Sequence, residues 1–417
     1  LILLAQFLFV TLAALVLIQL ALVLRFFWLL SGKPMPIVDK ALPATVVLCV
    51  RGNDPTLVEC LDSIFAQDAQ SFQLLVVADQ IDDPGCNTVR AAFDRHRDAS
   101  IDAQLIFLPE IHDHASLKCQ ALVHAIKNCD ANSEIVALID ADTSAHPTWL
   151  RELSSAFEDP QVGAATGFRW YVPVSAGSGS MMRSIWNGAA IVQMQAYKIA
   201  WGGTLAFRKS VFDDGSLLER WSRAFCEDTM TQRMLQKQNL RLTHVPSLVM
   251  SSRESTSATS FVNWVQRQLL TSRLYHPSFA LTAAHCFSTT LAPLLALVLL
   301  IVSLIQQDWP AAIWFAVSIV CYESAALVML VLIEMAVRRA SGDRAERLCW
   351  PIFRTLPQYV LSLFATQFCY AWAMVRVLVQ RRYAWRGIEY SIAGPQSIQM
   401  QGYQPFSESA ASTSDSL

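Results

Sequence analysis

Charge is what this chain has least of: Asp, Glu, Lys and Arg make up only 16% of its 417 residues, against about 25% in an ordinary soluble domain. The deficit points to membrane segments. An excess of basic residues is also missing, since the net charge is -2, so no nucleic acid partner is expected. The ten cysteines stand singly. They make no CxxC pair, zinc spacing or disulfide framework, which fits a reducing cytosolic face. There is no internal repeat. The sequence opens on Leu1 rather than Met, so leading residues are expected ahead of it.

What the chain does have is apolar runs. Leu1 to Leu24 carries no charge and is long enough to cross a bilayer. Arg25, Lys33 and Lys40 follow, placing its carboxyl end in the cytosol. The run is too long for a signal peptide and lacks a clear cleavage site, so residues 1–31 are expected to be an uncleaved anchor. Two further spans, 287–305 and 311–333, are joined by a QQDWP turn, and Arg338, Arg339, Arg344 and Arg347 bring the chain back. A third, 356–379, is interrupted by Gln358, Gln367 and Arg376. If it spans, Arg381, Arg382 and Arg386 lie outside, against the positive-inside tendency; the other reading is a re-entrant hairpin. Residues 286–380 thus form a C-terminal membrane region. The polar, Ser- and Gln-rich stretch 393–417 is expected to be disordered.

Between these regions, 40–277 has the composition of a globular domain, with an amphipathic, interfacial stretch near 258–277. Strands are expected at 44–50, 72–78, 103–108 and 135–139, and helices at 55–67, 86–96 and 116–129. Strand and helix in alternation predict an α/β fold, Rossmann-like, with a mostly parallel sheet.

The strand at 135–139 ends on Asp140-Ala141-Asp142. Ligands of open α/β sheets bind beyond the carboxyl ends of the strands. Two hard carboxylate donors there suit Mg2+ or Mn2+; a strand-to-helix cap is the plain alternative. Asp79 ends the second strand, where it can accept hydrogen bonds from a base or ribose, or cap a turn; Asp82 and Asp83 are further caps. Lys118 opens a helix, a place for a diphosphate or for a solvated lysine. His112-Asp113-His114 resembles a metal site only superficially. Gly202, Gly203 and Thr204 precede a strand and permit close approach of a ligand, or form a plain loop. Asp228, beside Glu227, is an N-cap or a general base. Trp264, Arg267 and Gln268 lie on the amphipathic stretch, where Arg267 can stabilise a diphosphate leaving group or the helix can simply lie at the lipid surface.

In order, the segments VVLCVRGND, LLVVAD, SLKCQALVHA, ALIDADT, GAATGFRWY, WGGTLAFRK, CEDTMT, WVQRQ and a late WRG resemble a family 2 type, inverting, membrane glycosyltransferase of GT-A fold, nearest the ceramide glucosyltransferase branch. The resemblance implies that Arg51, Asp79, Lys118 and Asp140 bind a nucleotide-sugar such as UDP-glucose. It implies that Asp140 and Asp142 hold Mg2+ or Mn2+, and that Asp228 is the base. Gly202, Gly203, Thr204 and Trp264 would face the acceptor, a membrane lipid hydroxyl, while Arg267 and Gln268 close over the diphosphate. The chain departs from the pattern in two places. Cys49 stands where many relatives have proline, and WVQRQ replaces QxxRW, with no tryptophan after the arginine. The alternatives are a processive polysaccharide synthase and an inactive membrane scaffold. A multi-pass protein with its catalytic domain in the cytosol is expected.

Overall fold

The computed structural model describes residues 1–32, 35–69, 71–173, 177–344 and 352–406; Lys33, Arg347 and the tail from 407 onward lie outside them. Helix α1 (Ile2–Ser31) leads into a sheet whose first four strands are β1 (Ala44–Val50), β2 (Gln73–Ala78), β3 (Asp102–Phe107) and β4 (Ile135–Asp140). These run parallel in the order β3-β2-β1-β4. Their crossovers carry α2 (Leu57–Phe65), α3 (Pro84–Arg95) and α4 (Leu117–Lys127). Asp83 caps α3, its side chain accepting from the Gly85 N–H.

The apolar runs are unbroken because both faces of the sheet are covered. Val46, Leu48, Leu74, Val76, Ala137 and Ile139 pack into one core, and Val47, Leu75, Val77, Val136 and Leu138 into the other. The same period of two carries Asp79 and Asp140 onto the second face, in line with Val77 and Leu138. Register does the rest. Val50 pairs with Ala78 and Cys49 with Asp140, so Arg51 emerges opposite Asp79.

The chain continues through α5 (Trp149–Ser155), β5 (Val162–Tyr171), α6 (Ser178–Tyr197), β6 (Thr204–Arg208), α7 (Ser216–Trp221), α8 (Thr231–Lys237) and β7 (Arg241–Ser252). Strand β6 runs antiparallel between β4 and β5, and β7 closes the seven-stranded sheet parallel to β5.

Helices α9 (Ala258–Tyr275), α10 (Phe279–Ile305), α11 (Trp309–Ser341) and α12 (Ile352–Val379) follow. Helices α1, α10, α11 and residues 356–379 of α12 are long and apolar enough to cross a membrane. Helices α1, α10 and α11 form a bundle. At its far end Leu8 and Leu12 meet Ala296 and Phe315; at its sheet-ward end Val23, Phe26 and Leu30 meet Met329, Ile333 and the β5 residue Phe168. Helix α12 lies differently. Tyr359 and Leu363 pack on Met181 and Ile185 of α6 and on Leu327 and Leu330 of α11. Further along, the Thr290 hydroxyl donates to the Gln367 carbonyl at 3.2 Å, and Tyr370 Oη to the Thr282 carbonyl at 3.4 Å.

The stretch expected to be disordered is ordered as far as 406. Strands β8 (Arg382–Trp385), β9 (Ile388–Gly394) and β10 (Ser397–Met400) form an antiparallel sheet. Tyr383, Ile388, Tyr390, Ile392, Ile398 and Met400 bury one face against Phe225 and its neighbours. Each such burial contributes roughly 1.5–3 kcal/mol, enough to offset the ordering of two short hairpins. Alternation with period two was the signal, masked in the sequence by a polar outer face.

Candidate active site

Past the carboxyl ends of β1, β2 and β4 lies one cavity, bordered by Arg51, Asp79, Lys118, Asp140, Asp142 and Asp228. Lys118, in the first turn of α4, sets its Nζ 2.7 Å from Asp140 Oδ1 and 2.7 Å from Glu227 Oε1. Burial works against its charge, but the Asp140 and Glu227 carboxylates more than offset this and hold its pKa well above the usual range. Glu227 is 1% exposed, and burial pushes its carboxyl up. It is Lys118's buried counter-ion.

Asp142 points to Arg169 of β5, Oδ2 to Nη1 at 2.8 Å. Arg169 also meets Glu254 at 3.2 Å, and Glu254 meets Arg183 of α6 at 3.1 Å. Both guanidiniums lie over the Tyr171 ring, 4.8 and 4.2 Å from its centroid. Burial pushes the Asp142 carboxyl up; Arg169 outweighs it and holds the pKa below the ordinary value, with smaller pulls from Arg386 and Arg267.

Asp228 does not cap a helix. Helix α8 begins three residues later, with Met230 at its N-cap and no side-chain bond. The carboxylate instead accepts the Gly202 N–H at 3.0 Å on Oδ2 and the Cys226 thiol at 2.8 Å on Oδ1. A Cβ on Gly202 would stand 2.2 Å from Glu227 Oε1, which explains the glycine.

At the end of the cavity beyond β2, Arg51 pairs with Asp79, and Tyr403 donates to Asp79 Oδ2 at 2.9 Å. Arg51 also donates to the Gln404 carbonyl at 2.8 Å and to the Arg386 carbonyl at 3.1 Å. The Phe406 ring lies against Gly52. The C-terminal segment therefore closes over the end of the cavity nearest Asp79.

Trp264 reaches the cavity too, edge-on to Tyr171 and Trp186 with centroids 5.4 and 5.1 Å away. Arg267 and Gln268 border the same space, and Arg267 lies over the Trp385 ring at 5.2 Å. Thr204 corrects the expectation that it faces an acceptor. It is fully buried in the sheet, and its hydroxyl accepts Trp149 Nε1–H at 2.6 Å. Gly202 acts through its backbone on Asp228. The His112 and His114 side chains are more than half exposed, and among the described residues no three His, Cys, Asp or Glu side chains form a metal cluster. Sequence reasoning gave no role to Arg169, Trp385, Arg386 or Tyr403. The local signals were an arginine inside the apolar strand GAATGFRWY and the late WRG that holds Trp385 and Arg386.

The cavity does not stop at the sheet. It runs past Trp264 between α6, α10, α11 and α12, reaching Leu22 of α1, Met329 and Ile333 of α11 and Leu363 of α12.

The model of glycosyl transferase family 21 matches residues 7–398. The chain belongs to glycosyl transferase family 21. The sequence resemblance was drawn to a family 2 type; the family shown is 21, and its match runs through the membrane helices and into β10. No curated protein sequence matches. Among solved structures, the mannosyltransferase PcManGT from Pyrobaculum calidifontis, in complex with GDP-Man and Mn2+, superposes on this family 21 chain with a TM-score of 0.50 at 18% identity, covering 89% of this chain and 99% of its own. Glucosyl-3-phosphoglycerate synthase from Mycobacterium tuberculosis, in complex with phosphoglyceric acid, covers 56% of this chain and 76% of its own, at 15% identity and a TM-score of 0.35. The fold resembles that of GT-A glycosyltransferases.

Proposed function

We propose that this family 21 glycosyltransferase moves a hexose from a nucleotide-sugar, UDP-glucose being the first donor to try, onto the hydroxyl of a membrane lipid with inversion, as ceramide glucosyltransferases do. The observation that carries the reading is the single cavity. One end holds the acidic and basic groups at the strand ends; the other is walled by apolar helices able to lie in a bilayer. A water-soluble acceptor has no use for the second half.

Asp140 and Asp142 offer hard oxygens in one place, and two carboxylates suffice for Mg2+ or Mn2+, which take their other ligands from water and phosphate. The set fits such an ion, and Asp140 and Asp142 would hold it. When bound, the ion supplies positive charge for the departing diphosphate. The chain's own part is separate. Lys118 and Arg267 border the donor end and offer N–H donors to the diphosphate. Asp228, fixed by the Gly202 N–H, takes the acceptor hydroxyl's proton and so drives attack on the face opposite the leaving group.

Two ion pairs bear on the topology. Arg344, just past α11, pairs with Glu152 of α5 at 2.9 Å. Arg386, just past α12, pairs with Asp54 at 2.9 Å. These two pairs support a reading in which α1, α10 and α11 cross and α12 packs against the sheet-ward helices without crossing. Its exposed Leu361, Phe368, Trp372, Val375 and Val379 recur at helical spacing, as a stripe dipping into lipid does. Arg381, Arg382 and Arg386 then sit in the cytosol, and the conflict with the positive-inside tendency disappears.

Membranes containing the protein, given a panel of radiolabelled sugar nucleotides and then extracted, test the reading. Label is expected in the organic phase. Label in insoluble, high-mass material would favour a polysaccharide synthase, and no transfer from any donor a scaffold. A thiol introduced at Ser397 should resist an impermeant reagent in intact cells, while one at Gln306 reacts; labelling at Ser397 would refute the placement of α12.

A further inference from the structure

The C-terminal sheet carries two side chains into the donor end of the cavity, Trp385 and Arg386. They sit in the reversal between β8 and β9, where Arg386 has φ 50° and Gly387 φ 76°. A non-glycine residue in the left-handed region is strained and persists only when its surroundings hold it. Here they do. Arg386 Nη2 meets Asp54 Oδ2 at 2.9 Å, its Nη1 donates to the Arg51 carbonyl at 3.2 Å, and its own carbonyl accepts from Arg51 Nε at 3.1 Å. Asp54 is buried, so the arginine is anchored at the rim.

Trp385 Nε1 is buried with no hydrogen-bond partner among the described residues. An indole nitrogen can only donate, and a buried donor left unpaired is costly. The ring face is occupied by Arg267 of α9. Trp385 Nε1 borders a cavity that Lys118, Arg267 and Arg386 also border with their positive charge, and a phosphate oxygen is an acceptor that would satisfy it beside those cations. Helix α9 reads WVQRQ, without a tryptophan after its arginine; the ring packed on Arg267 comes from far along the chain instead.

We propose that Trp385 and Arg386 bind the donor's diphosphate, Trp385 through Nε1–H and Arg386 through its guanidinium, so that the C-terminal sheet is part of the donor site. This rests on the nucleotide-sugar reading above. The test uses the full chain in detergent, with UDP and uridine as probes, each measured by displacement of a fluorescent UDP analogue; GDP and guanosine replace them if the wild type prefers GDP. Arg386→Gln and Trp385→Phe should each weaken the diphosphate by about tenfold or more, the weight of a charge-assisted or otherwise unreplaced hydrogen bond. Binding of the nucleoside should be unchanged, and Arg386→Lys should recover part of the loss. If the two residues only hold the sheet in place, nucleoside and diphosphate weaken in parallel, and the proposal is overturned. A wild type that binds neither UDP nor GDP overturns the donor reading itself. Should Arg386→Gln not fold, Trp385→Phe and Arg386→Lys carry the same comparison.

Discussion

The Asp228 carboxylate rests on the backbone of Gly202, accepting its N–H at 3.0 Å across 26 residues of chain. The contact fixes an acid that sequence alone left undecided between helix cap and base. It also ties the acid to the β6 loop, whose glycine leaves room for Glu227. Asparagine at 228 keeps the acceptor for Gly202 and loses the basicity. Asp228→Asn is therefore expected to fold and bind donor normally while kcat for transfer falls at least about 100-fold. Retention of most transfer would move the role to another group.

Gly202→Ala tests the packing behind that acid. The new Cβ would lie 2.2 Å from Glu227 Oε1 and 3.1 Å from Lys118 Nζ. Glu227 must move, and with it the 2.7 Å pair to Lys118. A loss of about 1–3 kcal/mol in stability is expected from such overpacking, together with weakened donor binding. A variant with wild-type melting and wild-type donor affinity would show that the loop yields freely.

Chelation addresses Asp140 and Asp142. EDTA should abolish transfer, and Mn2+ or Mg2+ should restore it. Asp142→Asn should weaken donor binding itself, in contrast to Asp228→Asn, because it removes one of the two carboxylates proposed to hold the ion. Equilibrium binding of the nucleoside diphosphate with and without metal separates the two variants. Full activity in chelator would reduce the pair to a partner for Lys118 and Arg169.

His244 of β7 sets an acid limit on stability. Its ring stacks on Phe168 with centroids 4.9 Å apart, and Nε2 lies 3.1 Å from the Ile199 carbonyl. Burial, helped by Lys198 and opposed by the bond to Ile199, pushes its pKa down to about 3. The native ring stays neutral while an unfolded histidine takes a proton near 6.5, so stability is lost as pH falls from about 6.5 toward about 3, by up to about 1.4 kcal/mol per unit. Denaturation of the detergent-solubilised protein between pH 7 and pH 4 should show this slope, and His244→Gln should flatten it. Equal slopes in both proteins would place the acid sensitivity elsewhere.

The sequence by itself determined whatever depends on neighbours along the chain. A run such as Ile135–Ile139 must be buried on both faces, and the period of two then carries Asp79 and Asp140 to one side of the sheet. Ser116 caps α4 and so sets Lys118 in its first turn. The long apolar helices follow from composition alone. Only the tertiary structure decided the rest, because those choices rest on contacts between residues far apart in sequence. Register, not local pattern, puts Arg51 beside Asp79. Thr204 looked like a loop hydroxyl but is taken by Trp149 across 55 residues. The tail past 393 looked disordered because its outward residues are polar; its inward residues, Ile398 and Met400, have no partner until the core around Phe225 provides one. Helix α12 is apolar enough to cross a membrane; the pairs Arg344–Glu152 and Arg386–Asp54 tie the residues after α11 and after α12 to the sheet, and composition carries no information about such ties between residues far apart in sequence.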